Sequence, residues 1–214
     1  MISFKYKCIF IEVPKTGSSS IRKIIGHPQI PHLDINEMEM KVKNSLPWDS
    51  KGYNILNSFY KKGFPENLKL KIGGKILETY FKFGFVRNPW SRVVSLYNRK
   101  EGIQMQESMS FSEFVNWIEY SSDTCIHPSQ KKSQLDWFKL ENGKIKVDYI
   151  GKFENLNKDW EYISNQLGIN ERLPHINKNH SIRKLNYREY YDDKTRDVIA
   201  RKFKEDIDYF NYEF

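Results

Sequence analysis

The first clear pattern along the chain is a short apolar run, Ile9, Phe10, Ile11 and Val13, which breaks at Pro14 and resumes as Ile21, Ile24 and Ile25. β-Branched and aromatic residues in near-continuous sequence read as a strand covered on both faces, as a parallel sheet requires. Proline brings no N–H to a ladder and holds Val13 extended, so the strand ends there. Gly17 permits a tight turn, and the serines after it open a helix whose isoleucines share one face. Residues 8–25 thus predict strand, loop and helix, and Gly26-His27-Pro28 stops the helix.

Residues 36–44 predict a short helix, and residues 53–62 another with Ile55, Leu56, Phe59 and Tyr60 as its apolar positions. Gly63-Phe64-Pro65 and Gly73-Gly74 read as breaks. Phe81, Phe83 and Phe85 then alternate with Lys82, Gly84 and Val86, a second strand. Asn88 suits an N-cap and Pro89 the first helical position. Ser110 and Glu113 form a capping-box pattern ahead of Phe114, Val115 and Ile118. Residues 147–153 predict a third strand, with Asn155 or Asn157 capping the helix after it. That helix presents Leu156, Trp160, Ile163 and Leu167 on one face and ends at Gly168. Asp193 is placed to cap a last helix bearing Val198, Ile199, Phe203 and Ile207. No repeat, low-complexity tract or linker interrupts the 214 residues. Strands alternating with helices predict one α/β domain over 1–214 with a largely parallel sheet.

Composition narrows the class of partner. At 39% hydrophobic and 15% aromatic residues the chain can build a core, which excludes a disordered protein. A net charge of +8 favours anionic partners, whether nucleotides, nucleic acid, acidic glycans or a membrane surface. Beyond Lys61-Lys62 and Lys131-Lys132 the cations are scattered, unlike a nucleic-acid-binding face. Cys8 and Cys125 stand in no metal-ligand spacing and suit a reducing compartment as free thiols. No signal peptide precedes the first strand and no stretch reaches the length of a membrane span, so the expectation is a cytoplasmic protein.

Candidate chemistry lies at two strand-to-helix junctions. The loop 14–20, Pro-Lys-Thr-Gly-Ser-Ser-Ser, aims backbone N–H groups, hydroxyls and the ammonium of Lys15 at one spot, which is a phosphate or sulfate site. The plain alternative is a strand–turn–helix whose serines only cap the helix. The loop is not the common triphosphate loop, because Lys15 precedes Gly17 and no acidic strand end stands out to hold magnesium. The second junction, residues 87–97, reads Arg-Asn-Pro-Trp-Ser-Arg-Val-Val-Ser-Leu-Tyr. It brings Arg87 to the end of a strand and puts Arg92 and Ser95 on one helix face, a second anion site.

Pro-Lys-Thr-Gly-x-x-Ser followed by Arg-x-Pro-x-x-Arg-x-x-Ser-x-Tyr resembles the sulfotransferases that use 3′-phosphoadenosine-5′-phosphosulfate (PAPS). The resemblance is to the branch of carbohydrate sulfotransferases and their soluble bacterial relatives. It continues through His127-Pro-Ser-Gln130, residues 147–155, residues 173–178 and the final Phe-Asn-Tyr-Glu-Phe, and is weakest over 36–80. It implies a P-loop-like, three-layer α/β domain with a mostly parallel central sheet flanked by helices. It also implies transfer of a sulfuryl group from PAPS to an acceptor hydroxyl on a carbohydrate, in line, with PAP as product and no metal.

By that resemblance Lys15 would meet the bridging and sulfuryl oxygens. Thr16, Gly17, Ser18, Ser19 and Ser20 would hold the 5′-phosphate, and Arg87 and Ser95 the 3′-phosphate. Trp90 is one option for an adenine slot, and residues 177–184 are either a basic loop over the nucleotide or solvated surface charge. Two residues compete as general base: His32, near where relatives carry theirs, and Glu12, where relatives often have histidine. A carboxylate at the end of a buried strand is costly unless it works or is paired, here with Arg22 or Lys23. His27 and His175 read as loop or packing residues, and His127 and Gln130 either line the acceptor cleft or form a turn. Gly-Ser-Ser-Ser stands where Gly-Gly-Thr-Ser is common in the family. The alternatives are a kinase using a nucleoside triphosphate and a non-catalytic polyanion-binding protein.

Overall fold

A computed structural model describes residues 1–26, 32–44, 66–98, 109–120, 133–174 and 186–214. In chain order the described elements are β1 (Ile2–Ser3), β2 (Cys8–Ile11), α1 (Ser18–Ile25), α2 (Ile35–Asn44), α3 (Glu66–Thr79), β3 (Phe81–Val86) and α4 (Pro89–Tyr97). They continue with α5 (Phe111–Tyr120), β4 (Tyr149–Lys152), α6 (Leu156–Leu167), α7 (Asp193–Lys202) and α8 (Lys204–Phe210). The backbone falls into two compact units. One comprises Met1–Val86 with Trp137–Ile176, the other Arg87–Asp136 with Asn177–Phe214.

The first unit holds the sheet, in the order β1-β2-β3-β4. β1 is an antiparallel edge, whereas β2 pairs parallel with β3 and β3 with β4. The chain is therefore α/β with a mostly parallel sheet, as the alternation of strands and helices predicts. β2 is buried at every position, and β3 at every position but Phe81. Phe10 stacks on Phe83 at 5.0 Å between ring centroids, and Phe85 meets Phe83 edge-on at 6.4 Å. Ile21 and Ile25 from α1 and Trp160 and Ile163 from α6 complete this core.

The other face of β3 carries Lys82 and Gly84, and both are covered. Lys82 donates from its ammonium to the Tyr80 carbonyl at 2.8 Å and lies 3.4 Å from Asp148. Gly84 lies under the ring of Phe138. A Cβ there would collide with that ring and sit 2.9 Å from the Ile11 carbonyl oxygen. Gly84→Ala is accordingly expected to cost about 1–3 kcal/mol through overpacking, read as a lower urea midpoint at unchanged slope.

The second unit is helical over its described residues. Tyr97 of α4 packs on Phe111 and Phe114 of α5 at 5.3 Å each, and Phe111 meets Tyr191 at 4.9 Å.

Several boundaries differ from the sequence reading. α3 runs straight through Gly73-Gly74, because packing against α2 outweighs a propensity cost of about 1 kcal/mol per glycine. β4 is shorter than 147–153, since the chain turns into a 3-10 helix at Phe153–Asn155. Asn155 is the N-cap of α6 by position but makes no side-chain cap bond, and Asn157 lies inside the helix. Asp192, not Asp193, caps α7, accepting from Thr195 N–H at 2.7 Å. The expected single last helix is two, because α7 ends at Phe203, where neither glycine nor proline marks a break. The expected helix at 53–62, the break at 63–65, Cys125, His27, His127, Gln130, His175 and residues 177–184 lie outside the described residues.

Candidate active site

Because β2 and β3 run parallel, the chain leaves both at the same edge of the sheet, where ligands bind in open α/β folds. After β2 it passes through Glu12, Val13 and Pro14, all buried, into a loop with two left-handed residues, Lys15 at φ 69° and Gly17 at φ 94°. Left-handed residues alternating with others turn successive N–H groups toward one side, the geometry of an anion nest. A left-handed lysine costs on the order of 1 kcal/mol, a strain of the kind that gathers at functional sites. Gly17 is the N-cap residue of α1 and has no side chain with which to satisfy the first helical N–H groups. A Cβ on Gly17 would lie 3.2 Å from both Phe153 and Leu156, so the close approach also calls for glycine.

The hydroxyls of the loop divide. Thr16 is buried and its Oγ1 donates to the Val13 carbonyl at 2.8 Å, so what it offers an anion is its backbone N–H. Ser18 is buried, Ser20 half-buried and Ser19 exposed.

Glu12 is 1% exposed and gripped by the guanidinium of Arg22, with Nε donating to Oε1 at 2.6 Å and NH2 to Oε2 at 3.0 Å. Of the two cations offered by the sequence, Arg22 takes the carboxylate and Lys23 points to solvent. This bidentate pair offsets the cost of burying the charge.

The Glu12 backbone does something else. Its carbonyl oxygen lies 3.0 Å from Nδ1 of His32. A carbonyl can only accept, so Nδ1 carries the proton and Nε2 is the basic atom of the neutral ring. His32 is itself left-handed at φ 60° and meets Trp137 edge-on at 6.4 Å. Two residues on, Asp34 and Glu37 exchange bonds of 2.8 and 2.9 Å as a capping box that starts α2. His32 is thus fixed against the strand end that leads into the Lys15 loop.

At the second junction Arg87 follows β3 directly. Asn88 caps α4 by accepting from Ser91 N–H at 3.2 Å, and Pro89 takes the first helical position. The Arg87 guanidinium is half-buried and donates twice to Ser91 Oγ, at 3.0 and 2.8 Å. The sequence pattern does not single out Ser91 as this acceptor, although it stands four residues after Arg87, about one helical turn on. Ser95 is half-buried on α4, whereas Arg92 is 3% exposed and turned into its unit. Burial pushes the Asp206 carboxyl above its usual range, opposed by N–H groups of Gln134 and Leu135 and by the charge of Arg92. Trp90 is 4% exposed, donates to the Arg196 carbonyl at 3.0 Å and packs on Phe214, so its indole serves the core.

Among the described residues no helix is long and apolar enough to cross a membrane. No solved structure matches the chain closely. It is 27% identical to carbohydrate sulfotransferase 9 of Homo sapiens over 95% of its length, and 26% identical to carbohydrate sulfotransferase 10 of Rattus norvegicus over 77%. It spans about half the length of those two proteins, 47% and 51%. An uncharacterised protein of Archaeoglobus fulgidus is 34% identical over half of the chain and 82% of its own. The model of the sulfotransferase family matches residues 1–213, which takes in both junctions, and the chain belongs to that family.

Proposed function

We propose that the protein transfers a sulfuryl group from PAPS to a hydroxyl of a carbohydrate acceptor. The observation that carries this reading is the β2–α1 loop, where left-handed Lys15 and Gly17 bend the backbone into an anion-nest geometry at a helix start. PAPS supplies the activated sulfuryl group. Lys15 holds its bridging and sulfuryl oxygens and stabilises the charge that develops as the bond to the leaving phosphate breaks. The N–H groups of Thr16 and Gly17, with Ser18, Ser19 and Ser20, hold the 5′-phosphate, and Arg87 and Ser95 the 3′-phosphate. His32 takes the proton of the acceptor hydroxyl at Nε2. The carbohydrate acceptor is supported by the names of the relatives, which say this of those proteins.

The test is calorimetric titration of the full chain with PAP and with 5′-AMP, without added metal. PAP is expected to bind at least about tenfold more tightly, since a fork and a hydroxyl on the 3′-phosphate contribute charge-assisted hydrogen bonds. Equal affinities, or none, overturn the reading, and binding of magnesium-ATP instead would favour a kinase.

A further inference from the structure

We infer that Gln134, itself held by Asp206, is a positioning residue that fixes Arg87 for recognition of the 3′-phosphate. The inference rests on the role proposed above for Arg87, and all three residues belong to the second unit. Gln134 is 1% exposed, and its side-chain amide pairs with both backbone groups of Arg87. Arg87 N–H donates to Oε1 at 2.9 Å, and Nε2 donates to the Arg87 carbonyl at 2.8 Å. The assignment of the amide follows from those partners, because an N–H demands the oxygen and a carbonyl demands the nitrogen. The amide thereby satisfies both backbone polar groups of the residue that follows Val86 in the chain.

Asp206, fully buried, holds Gln134 in turn. Its Oδ2 accepts from the Gln134 backbone N–H at 2.8 Å and from Nε2 at 3.2 Å, while Oδ1 accepts from Leu135 N–H at 3.0 Å. Both Nε2 hydrogens of Gln134 are thereby committed, one to Arg87 and one to Asp206. Ser133 and Asp136 close the same turn with bonds of 2.9 and 3.1 Å. The Arg87 backbone is clamped by this network and its guanidinium is braced by Ser91. An arginine fork recognises an anion only when its plane is aimed, so a clamp on its backbone acts on affinity for the group it faces.

The experiment titrates Gln134→Met, Asp206→Asn and Arg87→Ala, each in the full chain, with PAP and with 5′-AMP. Gln134→Met keeps the volume and removes both bonds to Arg87. It is expected to lose about tenfold in PAP affinity with 5′-AMP changed by less than about twofold, a selective loss that a purely structural role would not produce. Asp206→Asn is expected to show the same selectivity at smaller size, and it decides the matter if Gln134→Met binds neither nucleotide. Loss of both ligands in proportion, or an unchanged PAP preference in the folded variants while Arg87→Ala abolishes it, overturns the inference. A PAP preference that survives Arg87→Ala overturns the 3′-phosphate assignment itself.

Discussion

Lys15→Ala is expected to keep the fold, lose most PAPS affinity and lower the rate of sulfuryl transfer by about two to three orders of magnitude. The residue sits at φ 69°, and alanine shares the Cβ of lysine, so the substitution leaves the backbone strain as it is and removes the ammonium. Thr16 still ties its hydroxyl to Val13, and Gly17 still packs against Phe153 and Leu156, so the loop keeps its shape. The loss should be larger for PAPS than for PAP, because Lys15 is proposed to meet the sulfuryl oxygens. Single-turnover transfer at saturating donor, together with calorimetry on both nucleotides, separates the two effects. A variant that transfers at the parental rate would remove Lys15 from the reaction. A protein that only gathers polyanions would lose little on this change, since one cation among 35 contributes modestly to a diffuse field.

The elements that carry the two junctions were legible in the sequence because their signals are local. An apolar run before Pro14, a glycine in the turn and an asparagine-proline pair at a helix start each act within a few residues. The partners that finish the site were not legible in the same way. Gln134 reaches Arg87 from 47 positions away and Asp206 reaches Gln134 from 72, distances over which periodicity carries no information. The choice of Arg22 over Lys23 for Glu12 depends on which helix face meets the strand end, and the fork geometry of arginine suits a buried carboxylate better than an ammonium does. Gly73-Gly74 misled for the opposite reason: the local signal for a break is real, and tertiary packing overrides it. The burial of Arg92 beside a half-exposed Ser95 likewise shows that two residues sharing a helix stripe need not share an environment.

His32→Asn is expected to abolish transfer while leaving the nucleotide bound as before, and it bears directly on which residue is the base. Asparagine tolerates the left-handed backbone at φ 60°, and its amide N–H sits close to where Nδ1 does, so the bond to the Glu12 carbonyl is retained. What disappears is Nε2, the atom proposed to accept the proton. The transfer rate should fall by about two to four orders of magnitude, with the PAP dissociation constant within about twofold of the parent. Glu12→Gln supplies the contrast. Both carboxylate oxygens are already engaged by Arg22, so the substitution removes one charge-assisted bond and is expected to lower stability by about 1.5–3 kcal/mol while transfer stays within about fivefold. The opposite outcome, transfer lost in Glu12→Gln and kept in His32→Asn, would make the carboxylate the base and reduce the histidine to a brace on the strand end. The geometry favours the histidine because its Nδ1 is fixed by a group that can only accept, which leaves Nε2 as the basic atom, whereas the buried carboxylate would first have to surrender its half-buried arginine partner.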